Sequence, residues 1–252
     1  MRTLREIIET LDEAYPFAEA CSYDNVGLLV GRREKEIRKI LLALDVTSAV
    51  IREAKEAGAD MILSHHPVIF REIKRVTDES YTGSLVLSLI ESGLAAVALH
   101  TDFDRGEEGN NDVLARTLGA GAYEKIDEGF ATEFDLARET SFDDFADEVQ
   151  EALADTIVRR IGVGPVRRVI AACGAGIDEK LIFRAKERGA VIVTADIKHN
   201  YATMARDLGV GIVETTHYAS EWGFTDRMKE FLAERFDDVE VIVSRENINP
   251  YD

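Results

Sequence analysis

Cysteine is scarce in this chain. Its two copies, Cys21 and Cys173, lie far apart and form no CxxC pair. A disulfide framework is therefore not expected, and neither is a thiolate-bound structural zinc. Each thiol is expected to act as a small buried hydrophobe. Long apolar runs are missing too. Nothing approaches the roughly 20 residues that span a bilayer, and the N-terminus lacks a signal-peptide core. Thr3-Leu4-Arg5-Glu6 reads there as a capping box that opens a helix. Positive charge is also in deficit, with 30 Lys and Arg against 48 Asp and Glu and a net charge of −18. Such a surface repels nucleic acid and anionic membranes over long range, so neither is an expected partner. A reducing, cytoplasmic location is the expectation. What the chain does have is apolar content, 46% of 252 residues. That is enough for one large core or two smaller ones.

The apolar segments set a βα rhythm. Residues 3–14 predict an amphipathic helix with Leu4, Ile7, Ile8 and Leu11 on one face. A loop at Ser22–Gly27 and a short strand at Leu28–Gly31 follow. Ile37 to Leu44 predicts a buried strand, Thr47 caps the next helix, and Gly58 ends it. Met61-Ile62-Leu63 is too short for a helix and predicts a strand that delivers Ser64-His65-His66-Pro67. This βαβ unit implies a parallel sheet. Residues 67–81 are a loop or broken helix carrying Arg71, Lys74 and Arg75. These cations face either an anionic substrate or plain solvent. A helix over 82–92 and a strand over 94–99 end in His100-Thr101-Asp102-Phe103-Asp104. The turn-rich Gly109-Asn110-Asn111 then starts a helix over 112–118. The rhythm pauses near 120–127. Thr132 to Glu139 predicts a strand, Ser141 caps a helix, and residues 159–166 predict a loop. Strands at Val169–Cys173, Val191–Val193 and 210–214 follow. A final helix runs to about Phe236, before a last strand at Val239–Val243.

The two halves echo one another. Ala54-Lys55-Glu56-Ala57-Gly58-Ala59 precedes the strand that ends at His65. Ala185-Lys186-Glu187-Arg188-Gly189-Ala190 precedes the strand that ends at Asp196. One step later, His100-x3-Asp104 answers His217-x3-Glu221. Two matching steps in the same order favour duplication over chance. The boundaries expected from this are 1–125 and 126–252, and the last strand is free to return to the first half. The fold class is then α/β, with two similar three-layer halves and a cleft between them.

Three strand ends offer His65, His66, His100, Asp104, His217 and Glu221. A bland reading of the His65-His66 pair keeps one imidazole buried beside an exposed one. The other strand ends favour a metal centre, because neutral imidazole is the commonest metal ligand. Mixed imidazole and carboxylate donors suit Zn, Fe, Mn, Ni or Co. Five or six donors exceed the needs of one ion, so two divalent ions per chain is the natural count, with a carboxylate such as Glu221 able to bridge them. Gly174 and Gly176 either make a tight turn or cradle a phosphate.

With Ser22–Gly27, His65-His66-Pro67, His100–Asp104, Gly109–Asn111, Cys173–Gly176, Thr194–His199 and Thr216–Glu221, the chain resembles the NIF-three-like family of dinuclear-metal-center proteins, the type-two GTP cyclohydrolase I homologues. The resemblance implies metal ligands at His65, His66, Asp104, His217 and Glu221, placed between the halves. It puts His100 close to the metals, as the candidate catalytic residue beside the ligands. It implies a ring-shaped homohexamer, a nucleotide-like small-molecule substrate, and hydrolytic opening of the GTP imidazole ring by a metal-bridging hydroxide. Phosphoester hydrolysis would use the same metals, and a regulatory or adaptor role would use the site without turnover. The chain departs from the family pattern at Ala195, where glycine is common, and near Asn200, where a second histidine is frequent.

Overall fold

The computed structural model describes residues 2–156 and 158–251. The chain divides into two compact units. One comprises residues 1–106 and 224–248, and the other residues 107–223 and 249–252. The first holds strands β1 (Arg2–Thr3), β2 (Gly27–Val30), β3 (Glu36–Ile37), β4 (Lys39–Ala43), β5 (Met61–Ser64) and β6 (Ala95–Ala98). The second holds β7 (Glu124–Ile126), β8 (Ala131–Ser141), β9 (Arg159–Ile161), β10 (Pro165–Ala171), β11 (Ala190–Thr194) and β12 (Ile212–Glu214). The final strand, β13 (Glu240–Val243), pairs in parallel with β4 in the first unit.

The expected boundary at 125/126 is therefore displaced. The first unit's leading segment ends at Gly106, and the helix Asn110–Thr117 belongs to the second unit, where Leu114 and Ala115 pack with Phe134, Phe145 and Val169. Strand rhythm alone could not assign a helix that lies between two sheets in sequence.

The first unit has the sheet order β13-β4-β5-β6-β2. Its pairs are parallel except β2–β6, which is antiparallel. Leu41, Ile62 and Ala96 face one side and pack with Val50, Ile51 and Ala54 of the helix Ser48–Glu56 and Leu85, Val86 and Leu89 of the helix Tyr81–Glu91. The alternate residues Ile40, Leu42, Met61, Leu63 and Val97 are also fully buried. A strand buried on both faces needs an unbroken apolar run, which is why these segments lack polar alternation.

The second unit has the order β7-β8-β10-β11-β12-β9. Its three central strands are parallel, and β8 and β9 flank them antiparallel. Val169, Ala171, Val191, Val193 and Val213 join one core cluster, and Ile170, Ala172, Ile192 and Ile212 join the other. That is the period-two alternation of a sheet covered on both faces. Each unit thus contains a parallel run with an antiparallel strand at its end, β13-β4-β5-β6 beside β2 in the first and β10-β11-β12 beside β9 in the second, and the shared part, three parallel strands followed by an antiparallel one, agrees with a duplication.

Several local expectations need correction. The segment 159–166 is not all loop, because β9 pairs with β12 and β10 starts at Pro165. Arg159 and Arg160 hide the strand from any apolar pattern, and proline is tolerated as a strand's first residue. The final helix is two, His217–Glu221 and Gly223–Arg235. Cys173 is buried as expected, but Cys21 is only partly so. The Thr3–Glu6 capping box and the Thr47 and Ser141 caps are all formed.

Glu133 on β8 is 5% exposed. Its carboxylate pairs with Arg184 at 2.8 Å and Arg188 at 2.7 Å. Burial alone would raise its pKa, but the hydrogen bonds from Arg188 and Arg184 outweigh that and hold it below the usual range. The unfolded chain then takes up the proton first. The pair's stabilisation is full above the unfolded pKa and is lost as pH falls through the folded one. Glu133→Gln should destabilise the chain by about 1–3 kcal/mol at neutral pH. It should also flatten the acid limb below about pH 4.5, as read by urea denaturation from pH 3 to 7.

Candidate metal centre

The backbone ladder of the first unit continues past the last strand residues. His65 N–H donates to the Ala43 carbonyl at 3.3 Å, His66 N–H to the Leu44 carbonyl at 2.9 Å, and Leu99 N–H to the Ser64 carbonyl at 3.1 Å. The two histidines therefore leave the sheet with their backbones still fixed. His65 is fully buried. Its Nδ1 lies 2.8 Å from the Leu99 carbonyl oxygen. A carbonyl only accepts, so Nδ1 carries the proton and Nε2 presents a lone pair. His66 Nδ1 lies 2.9 Å from Asp45 Oδ1. His100 Nδ1 lies 2.9 Å from both carboxylate oxygens of Asp24.

Each of the three imidazoles is thus gripped at Nδ1 by an acceptor, the arrangement that orients metal-ligating histidines. Their ring centroids stand 4.8, 5.1 and 5.4 Å apart. One ligand atom from each of His65, His66 and His100 falls within 4.8 Å of the others. Asp104 Oδ1 is 3.5 Å from His65 Nε2. A carboxylate facing a lone pair calls for a cation between them. Phe103 and Phe224 close the inner side, with His65–Phe224 centroids 5.3 Å apart.

The electrostatics suit this arrangement. Burial works against the Asp24 carboxylate, but hydrogen bonds from His100 and Thr101 hold it well below the usual range. Burial pushes Asp102 up to about 7, against hydrogen bonds from the His100 and Phe103 backbone. Asp102 Oδ1 accepts the His100 N–H at 2.7 Å and so shapes the start of the short helix Thr101–Arg105.

The second unit repeats the device. Thr216 caps the helix His217–Glu221 through the Ala219 N–H at 3.2 Å. His217 Nδ1 lies 2.7 Å from Asp196 Oδ2, and its Nε2 lies 3.0 Å from Glu221 Oε2. Glu221 is 2% exposed. Asp196 has a left-handed backbone, φ +49°, which aspartate tolerates better than most residues. That also explains Ala195. Its own φ is not positive, its N–H donates to the Gly174 carbonyl at 2.9 Å, and glycine is not required there.

Gly174 is required. Its φ is +55°, and a Cβ on it would lie 2.3 Å from Glu221 Oε1 and 3.1 Å from His217 Nε2. Its N–H donates to Ser220 Oγ at 3.0 Å. That hydrogen bond and the close approach favour the tight turn over the phosphate cradle.

Four residues around the imidazoles were not singled out from sequence: Asp24, Asp45, Asp196 and, through its carbonyl, Leu99. Asp24 and Asp196 sit inside the motif stretches, and Asp45 follows a strand. That adjacency was the signal. Gly109-Asn110-Asn111 is structural instead, with Asn111 Oδ1 accepting the Cys173 N–H at 2.9 Å. His199 is exposed, with its ring beside Thr203. Gly174→Ala should stay folded yet lower zinc affinity by about tenfold or more in chelator competition, since Glu221 must shift. Gly58→Ala carries a similar backbone cost at φ +66° with nothing within 4 Å of the added Cβ. It should leave affinity unchanged.

The chain is 34% identical to a Clostridium perfringens protein named GTP cyclohydrolase 1 type 2 homolog, over 99% of this chain and 98% of that one. It is 28% identical to the Helicobacter pylori GTP cyclohydrolase 1 type 2, over 92% of each. The crystal structure of a Staphylococcus aureus hypothetical protein superposes with a TM-score of 0.90 at 27% identity, covering 99% of this chain and 98% of that one. The sequence profile of the Duf34/NIF3 (NGG1p interacting factor 3) family matches residues 2–250. With nearly its whole length matched, the chain belongs to the Duf34/NIF3 family.

Proposed function

We propose that the chain is a metal-dependent hydrolase whose metal ligands are His65, His66, Asp104, His217 and Glu221. The observation that carries this reading is the common anchoring of imidazoles at Nδ1 by Leu99, Asp45, Asp24 and Asp196. The donor set fits two ions of Zn, Fe, Mn, Ni or Co. When bound, such a pair supplies Lewis acidity and activates water at neutral pH. The chain's own residues do the rest. Asp24 fixes His100 so that its Nε2 can carry a proton at the reacting atoms. Phe103 and Phe224 exclude water from behind His65. The relatives' names point to a guanine nucleotide, and opening of its imidazole ring is the reaction proposed. Assembly as a homohexamer and a cytoplasmic location belong to the same proposal. Among the described residues no helix is long and apolar enough to cross a membrane.

Elemental analysis after reconstitution should approach two ions per chain, and a ceiling of one would refute the dinuclear reading. Glu221→Ala should lose both ions or keep one weakly, and Asp104→Ala should mostly lose one. The double variant should be far from additive. Reloaded protein should convert GTP to a ring-opened product by liquid chromatography, and Asp104→Ala should not. Turnover of p-nitrophenyl phosphate with GTP left intact would assign phosphoester chemistry instead. Light scattering should give about six times the 28.0 kDa chain mass.

A further inference from the structure

Two large aromatic side chains stand in the open beside His100. Tyr23 is 66% exposed and Phe70 is 42% exposed, whereas rings of this size ordinarily bury most of their area. They meet edge to face with centroids 6.3 Å apart. Phe70 in turn stands edge-on to the His100 ring, at 5.9 Å and 84°.

The loops that carry these rings are tied down. The Asn25 side-chain amide donates to the Ile69 carbonyl at 2.5 Å, joining the Tyr23 loop to the Phe70 loop. Cys21 N–H donates to Thr101 Oγ1 at 2.8 Å. The rings are therefore held at the rim of the histidine cluster by bonds that do not involve the rings' own faces. Beyond Phe70 the same loop exposes Arg71, Lys74 and Arg75, with Glu72 among them.

We propose that Tyr23 and Phe70 form a stacking subsite for a planar heteroaromatic ring, and that Arg71, Lys74 and Arg75 receive the anionic tail of the same ligand. The inference rests on the His100 neighbourhood being the reaction centre, as proposed above. Stacking on an aromatic face tolerates many rings and is worth roughly five- to a hundredfold in affinity per base. A ring laid on Phe70 is brought beside His100, where proton transfer is needed. Arg71, Lys74 and Arg75 outnumber Glu72 within the five residues after Phe70, with Asp78 and Glu79 further along the loop, and give an anionic ligand a local landing point on a chain whose net charge of −18 otherwise repels it. An aliphatic substrate would use neither feature.

Isothermal titration calorimetry on the zinc-loaded full chain tests this with GTP and inorganic triphosphate as probes. GTP should bind about tenfold or more tightly than triphosphate. Phe70→Leu, which keeps apolar bulk but removes the ring, and Tyr23→Ala should each erase about tenfold of GTP affinity and leave triphosphate unchanged. The Lys74→Ala/Arg75→Ala double variant should weaken both probes. Equal affinity for the two probes in the wild type overturns the subsite, as does GTP affinity indifferent to both ring variants. A drop in particle mass for Phe70→Leu with GTP binding intact also overturns it, by assigning the rings to an interface between copies. Metal content is read on the same samples. Ring-dependent GTP binding in protein that holds fewer than two ions supports the subsite while counting against the dinuclear reading.

Discussion

An imidazole binds a metal through one nitrogen, and something must hold the other. In this chain that hold is a hydrogen bond at Nδ1, made four times with four different partners. Without it a histidine at a strand end is free to turn, and its lone pair points anywhere. The anchors depend in turn on the sheets. Leu99 can accept from His65 because β5 and β6 pair in register, Ser64 opposite Ala98, and the ladder runs one step further. Asp45 reaches His66 because β4 lies on the other side of β5.

The second unit shows what such precision costs the backbone. Gly174 sits where any side chain would strike Glu221, and Asp196 adopts a left-handed conformation to face His217. Asp155 accepts the Thr216 N–H at 2.7 Å and also takes the Thr215 hydroxyl, fixing the turn that leads into His217. Strain of this kind, of order 1–3 kcal/mol per residue, persists where the surroundings over-determine it. The surrounding β10-β11-β12 core, buried on both faces, supplies that rigidity.

Relatives alone would say little about which residues do this work. The geometry separates motif residues into kinds. His65, His66, His100 and His217 present ring nitrogens, while Asp24, Asp45 and Asp196 orient them. Asn111 holds the Cys173 backbone and Gly174 clears space. The exposed Tyr23 and Phe70 belong to none of these kinds and extend the centre outward.

Much of this was legible in the sequence, for a local reason. Apolar runs such as Ile40–Leu44 and Met61–Leu63 encode strands, Thr3, Thr47 and Ser141 encode helix starts, and the histidines fall at strand ends. The echo between His100-x3-Asp104 and His217-x3-Glu221 exposed the duplication. These are short-range signals, readable from neighbours in the chain. The strand β9 was hidden because Arg159 and Arg160 carry no apolar pattern, and only pairing with β12 makes it a strand. The unit boundary at Gly106 was hidden because the helix Asn110–Thr117 has the same pattern whichever sheet it covers. The pairing of Asp24 with His100 and of Asp196 with His217 joins residues 76 and 21 positions apart. No local pattern encodes such a contact. It exists only once the sheet register has brought separate strand ends together, so the sequence alone determined which residue types stand at the strand ends and the tertiary structure decided which nitrogen each one presents.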